Sequence, residues 1–252
     1  MTILAFYSNK GGVGKTTTAV NLAYLAAQSG TKTLLCDLDP QSSATFYLRV
    51  KPKLKVKAKG FARGGQLVAN SIKGTDYDRL DLLPAALALR KLDLALHQFK
   101  RAKHRLAKML AMFKDEYDLI ILDSPSTITL LAENIFVAAD RIFVPLMPTP
   151  LSVRTQQHLL VFCRQKKYDS AKIYAFFSLV DRRKKLHREL MDTARAEFDH
   201  VLPAAVPYSA VIERMGLERA PVTAFAPRSA AAKAYQALWK EMQGLVESNQ
   251  QP

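Results

Sequence analysis

Cysteine is scarce: Cys36 and Cys163 are the only two in 252 residues. Two thiols cannot build a disulfide framework or a four-cysteine metal site. Cys36 sits in the apolar run Thr33-Leu34-Leu35-Cys36 and is expected to be an inert core residue. Long apolar runs are missing too, and none approaches the roughly 20 residues that a bilayer-spanning helix needs. Met1–Tyr7 carries no basic stretch and no cleavage signal; it reads as a strand of the mature chain, so secretion is not expected. There is no repeat and no Ser/Gly-rich linker. Acid is in short supply: 22 Asp and Glu stand against 37 Lys and Arg, a formal charge of +15. Such an excess favours polyanions, whether nucleic acid, anionic membrane or nucleotide. With 49% hydrophobic and 23% charged residues, wholesale disorder is excluded.

What is present is a rhythm. Apolar runs at Ile3–Tyr7, Thr33–Cys36, Leu80–Leu83, Leu119–Leu122, Ile142–Leu146, Ile173–Val180 and Ala204–Val206 predict strands. Several lack polar alternation, as parallel strands covered on both faces require. Helical patterns fill 15–29, 89–114, 129–139, 152–167 and 187–199, and a last helix runs from Ser229 to about Val246. This order predicts an α/β fold, a doubly wound and mostly parallel sheet flanked by helices, in one domain over 1–252. Residues 49–79 are the least regular and are expected to form a basic excursion.

The strongest motif follows the first strand: Ser8-Asn9-Lys10-Gly11-Gly12-Val13-Gly14-Lys15-Thr16-Thr17-Thr18. Glycines let successive backbone N–H groups curl around one anion, and a helix opening at Lys15 adds its positive dipole end. Lys15 is placed to neutralise β and γ phosphates, and the Thr16 hydroxyl to ligate Mg²⁺. Asn9 stands where the usual phosphate-loop pattern has its first glycine, so the match is to the variant K-G-G-x-G-K-[ST], with a second lysine at Lys10. A dinucleotide fingerprint would need glycine at position 17. Two acidic sites follow at predicted strand ends, Asp37-Leu38-Asp39-Pro40-Gln41 and Asp123-Ser124-Pro125. The carboxyl ends of strands line the ligand crevice of an open α/β sheet. Asp123 is therefore the candidate for holding Mg²⁺ through water, with Asp37 and Asp39 sharing the Mg²⁺ shell and the orientation of a water.

These residues resemble the ParA/MinD family of deviant Walker ATPases. The similarity runs on through Asn134–Asp140, Ile142–Leu146, Val180–Arg183, Val206–Tyr208, Ala220–Val222 and Ala231–Tyr235, and it is weakest over 49–79. The later segments are similar to the small partition ATPases, and the chain starts at its first strand, so a repressor-type DNA-binding domain is not expected. The resemblance implies a slow, partner-stimulated ATPase using ATP and Mg²⁺, cytoplasmic and nucleoid-associated. It implies that Lys10 reaches across an ATP-bound homodimer to the partner's nucleotide. Lys10, Gly11, Gly12, Val13, Gly14, Lys15, Thr16 and Thr17 would hold ATP, and Pro207 would pack on adenine. Thr16, Asp37 and Asp123 would serve the metal, Asp39 would orient the attacking water, and Ser124-Pro125-Ser126 would open a switch. Two departures stand out: the family usually has D-x-P-P where this chain has Asp123-Ser124-Pro125-Ser126, and often Pro-Arg where it has Pro207-Tyr208.

The basic residues cluster. Lys51, Lys53, Lys55, Lys57 and Lys59 alternate, which would line one face of an extended edge strand and either protect that edge or contact phosphate. Lys100–Lys108 falls on a predicted helix as a solvated face. Arg182, Arg183, Lys184, Lys185 and Arg188 lie where the family places contacts to nonspecific double-stranded DNA. The function implied is an ATP-switched, DNA-binding ATPase that partitions or positions a cargo on the nucleoid, triggered by an activator or cargo-adaptor protein with a basic segment. The alternative is a MinD-like membrane-associated positioning ATPase, which calls for a C-terminal amphipathic helix; the tail 238–252 reads instead as a closing helix with a polar end. A redox relative would bridge its dimer with a cluster on two cysteines, for which Cys36 and Cys163 are poorly placed.

Overall fold

The first apolar run becomes β1 (Thr2–Phe6), with every residue from Ile3 to Phe6 buried. Its neighbours are as dry: β2 (Thr33–Asp37) and β5 (Leu119–Asp123) are buried throughout. Strands closed off on both faces have no use for polar alternation, which is why these runs carry none. The remaining strands are β3 (Lys73–Gly74), β4 (Leu80–Leu83), β6 (Arg141–Leu146), β7 (Ile173–Val180) and β8 (Val201–Pro207). All eight join one sheet in the order β3-β4-β2-β5-β1-β6-β7-β8, parallel except for the short antiparallel β3 edge. The computed structural model describes residues 1–247.

Two layers of helix cover the sheet. Leu4, Phe6, Leu35 and Ile121 pack on one side against α1 (Lys15–Gln28) and the helix Ala230–Glu247. Ile3, Ala5, Cys36 and Leu122 face the other side, under the helices Leu130–Ala138 and Pro150–Gln165 and the excursion between β2 and β5. The helix Lys185–Glu197 covers β7 through Met191 and Ala194. Cys36 and Cys163 are both free and buried. The C-terminal helix buries Tyr235, Leu238 and Met242, so it closes the domain as its sequence suggests; the polar end 248–252 lies outside the described residues. Among the described residues no helix is long and apolar enough to cross a membrane.

Two local expectations fail. The single helix expected over 89–114 is broken into the short pieces Leu87–Lys91, Leu92–Leu96, Ala102–His104, Arg105–Leu110 and Ala111–Phe113. Arg101 adopts φ +57°, a left-handed conformation that a right-handed helix cannot pass through. The break lets the Arg105 guanidinium sit 4.4 Å from the Phe99 ring and donate to the carbonyls of Ala62 and Arg63. Lys103 pairs with Glu133 at 2.7 Å. The basic cluster 100–108 is thus partly structural rather than one solvated helix face.

The lysine run 51–59 is likewise not a strand. Its alternation survives: all five lysines are exposed, while Leu54, Val56 and Ala58 turn toward the core. No neighbouring strand pairs with it, however, and the helix Ala58–Arg63 begins within it. The sheet edge at this end is Lys73–Gly74, so the lysine run protects no edge.

Candidate functional site

Strand register assembles the site. Asp123 at the end of β5 stands beside Phe6 of β1 and Asp37 of β2, so three strand ends open into one crevice. The chain from Tyr7 to Gly14 turns over that crevice before α1 starts at Lys15. The turn rests on Gly12 at φ +71° and Gly14 at φ +91°, left-handed conformations that side chains resist. At Gly14 a Cβ would also lie 2.8 Å from Ser178 Oγ on β7. No side chain caps α1, so its first N–H groups are left for an anion.

Lys15 folds back over the loop. Its Nζ donates to Ser126 Oγ at 2.6 Å and to the Lys10 carbonyl at 3.3 Å. Burial pushes its pKa down, and the charges of Asp123 and Asp39 oppose that. The loop, the strand ends and the 124–126 segment thereby meet at one ammonium group.

The two buried aspartates differ in what satisfies them. Asp37 Oδ2 accepts from the Thr45 N–H at 2.9 Å and the Thr45 hydroxyl at 2.7 Å, and Oδ1 from the Asp39 N–H at 3.2 Å. Burial nonetheless raises its pKa to about 6. Asp123 is fully buried, and neither of its oxygens has a well-formed hydrogen bond. Burial first, then the Asp37 charge, holds its pKa well above the carboxylate range, with Thr16 and Lys15 acting the other way. A buried carboxylate with no well-formed hydrogen bond, under a helix N-terminus and next to the Thr16 hydroxyl, fits a hard cation that takes oxygen ligands and keeps some of its waters. Asp37 is better suited to holding the 39–45 turn, and any part in a metal shell would use lone pairs its three donors leave open. Asp39 sits at the half-exposed rim with Oδ1 on the Gln41 N–H at 2.9 Å.

Lys10 points away from the crevice floor. Its Nζ donates to Ser152 Oγ at 3.3 Å, in the first turn of the helix Pro150–Gln165. Pro207 stands apart at the end of β8, in a pocket of about 300 Å³ shared with Val180, Asp181, Tyr208 and two of the five basic residues, Arg182 and Arg183. All five basic residues are exposed, but not equally engaged. Arg183 grips Asp181 with two hydrogen bonds of 2.9 Å, which draws the Asp181 carboxyl down to about 2. Arg188 donates to the Arg182 carbonyl at 2.7 Å, and Lys185 pairs with Glu189 at 3.5 Å. Thr45, Ser152 and Ser178 escaped the sequence reading. Each is a common residue type that no motif spacing marks: Thr45 lies eight residues past Asp37, and Ser152 is 142 residues from Lys10.

Residues 1–173 match a family model described as an AAA domain. The sporulation initiation inhibitor protein Soj of Bacillus subtilis is 30% identical over 95% of this chain and 97% of its own length. A cobyrinic acid a,c-diamide synthase from Mycobacterium smegmatis, solved with a bound ATP analog and magnesium, superposes with a TM-score of 0.83 at 26% identity, covering 99% of this chain and 97% of that one. The cell division ATPase MinD of Pyrococcus furiosus shares the fold, with a TM-score of 0.79 at 23% identity over 97% of this chain and 99% of its own.

Proposed function

The chain belongs to the ParA/MinD family of partition and positioning ATPases, on its small ParA-type branch, and from that premise we propose that it is an ATP-switched dimer that binds DNA without sequence preference and positions a cargo on the nucleoid. The observation that carries the nucleotide part is the buried Asp123 carboxylate, without a well-formed hydrogen bond, beside Lys15 and Thr16. Thr16 and Asp123 would hold Mg²⁺, which when bound neutralises phosphate charge and fixes the β and γ oxygens. Lys15 would exchange Ser126 and the Lys10 carbonyl for phosphate oxygens, freeing the 124–126 segment to respond to the γ position. Gly11–Thr17 would offer N–H groups to the phosphates, Pro207 would pack on adenine, and Asp39 would orient a water with its oxygen not committed to Gln41. Hydrolysis would be triggered by an activator protein with a basic segment. A membrane-bound reading finds less support, because the helix Ala230–Glu247 already spends Leu238, Trp239 and Met242 on the core.

Lys10 is held within its own subunit by one hydroxyl at 3.3 Å, a weak restraint for a residue proposed to act across a dimer. Lys10→Ala should therefore bind nucleotide as a monomer and fail to dimerise. Analytical ultracentrifugation with ATP and Mg²⁺ is the measurement, and a normal dimer from the variant contradicts the role in trans.

The DNA reading is tested at Arg182 and Arg183. Each phosphate contact releases counterions, so log affinity falls with log salt with a slope of about −0.9 per phosphate neutralised. Arg182→Ala with Arg183→Ala should flatten that slope by about two units, doubled if both subunits contribute, equally on two unrelated duplexes. Nucleotide affinity of the double variant is read in parallel, since both residues line the Pro207 pocket. An unchanged slope would place the DNA surface elsewhere.

A further inference from the structure

A second basic surface lies away from the nucleotide site. The start of the helix Ala58–Arg63 and the paired turns over 87–96 enclose a pocket of about 470 Å³. Its rim is Lys57, Lys59, Arg90 and Lys91, and Leu94, Ala58 and Ala95 form its apolar part. No acidic residue lines it. Among the described residues none of these four cations enters an ion pair, whereas Lys103, Arg183 and Lys185 each do. Leu94 is 66% exposed, and Leu87, seven residues earlier and beside the lining Ala88, is 65% exposed.

A ring of solvated lysines alone says little. Leu94 held in water inside such a ring, with Leu87 exposed next to the lining Ala88, is different, because an apolar surface bordered by charge of one sign is complementary to one kind of partner. We propose that this pocket docks an acidic peptide segment of a partner protein, with its apolar side chains on Leu94 and its carboxylates on Lys57, Lys59, Arg90 and Lys91. DNA fits less well: phosphates would meet the cations but leave Leu87 and Leu94 in water. An activator's basic segment would be repelled, so this partner is a different one. The pocket belongs to the β2–β4 side of the sheet, while Arg182–Arg188 follow β7, with β5, β1 and β6 between. A partner held here leaves the other basic surface open. The inference does not depend on the nucleotide or DNA readings.

The test uses fluorescence anisotropy with three labelled synthetic peptides: one mixing Glu and Leu, one with each Leu replaced by Ser, and one with each Glu replaced by Lys. The Glu/Leu peptide should bind, more weakly as salt rises, and the other two should bind at least about tenfold less well. Lys57→Glu with Arg90→Glu should weaken the Glu/Leu peptide by about tenfold, and Leu94→Ser by several-fold. These side chains are exposed and outside the nucleotide site, so circular dichroism and ATPase rate should match wild type. Three outcomes overturn the proposal. One is absence of binding at low salt. Another is equal binding of the Leu-free peptide with no effect of Leu94→Ser, which would mark a general polyanion surface. The third is loss of duplex DNA binding in the charge-reversed variant with peptide binding intact, which would make this the nucleic-acid face.

Discussion

Lys15→Ala is expected to lose tight ATP binding. The Lys15 ammonium is the buried cation of the crevice, drawn toward Asp123 and Asp39 and lodged on Ser126 Oγ and the Lys10 carbonyl. Those two neutral partners are what a phosphate would displace, exchanging ordinary hydrogen bonds for charge-assisted ones. With each such bond worth about 1.5–3 kcal/mol, loss of two corresponds to roughly a 100-fold or greater loss of affinity. Removing the buried cation that faces Asp123 and Asp39 also destabilises the fold, so Lys15→Gln, which keeps a donor for Ser126, serves as the second variant. Calorimetric titration with ATP and Mg²⁺ reads the result. Wild-type affinity in the glutamine variant would end the assignment of this loop.

The second large effect separates stability from activity. Asp123→Asn should not destabilise the nucleotide-free protein, yet it should lower the Mg²⁺-dependent hydrolysis rate by about 100-fold or more. The carboxylate is buried, has no well-formed hydrogen bond and lies beside a second buried carboxylate, so its charge is an unfavourable term when the crevice holds no cation. Neutralising it removes desolvation and repulsion from Asp37, at the cost of its attraction to Lys15. A ligand that binds only the folded state raises the melting temperature, so Mg²⁺ with ATP should raise it in wild type and do so much less in Asp123→Asn. Thermal unfolding with and without Mg²⁺ and ATP measures both halves. A variant that melts lower without nucleotide but hydrolyses normally would mean that Asp123 is a structural residue.

Much of this was legible in the sequence, and the reason is locality. The phosphate loop is one continuous segment, and its glycines are demanded by backbone angles that a single residue sets, as Gly12 and Gly14 show. Strands buried on both faces announce themselves by unbroken apolar runs, so β1, β2 and β5 were found within a residue of their ends. The sequence also places Asp37 and Asp123 at strand ends and Asp39 just beyond one, and the strand register brings those ends side by side. The misses share the opposite cause. The helix expected over 89–114 broke at Arg101, where packing of Arg105 on Phe99 and on the Ala62 carbonyl outweighs helical periodicity. The lysine alternation over 51–59 marked which side chains face water, but whether a strand forms depends on a neighbour to pair with, and none is there.

The ATPase family is legible from the sequence alone, because the motifs that mark it lie on one loop and the adjoining strand ends. How the carboxylates there are held depends on the folded chain: Thr45 and the Asp39 N–H donate to Asp37, while among the described residues Asp123 has no well-formed hydrogen bond. The tertiary structure alone placed Lys10 on Ser152, 142 residues away, and separated the basic residues that are ion-paired from those that, among the described residues, are not. A residue type states which interactions a side chain is able to make; contacts between distant segments settle which of them remain unsatisfied, and binding is built on that remainder.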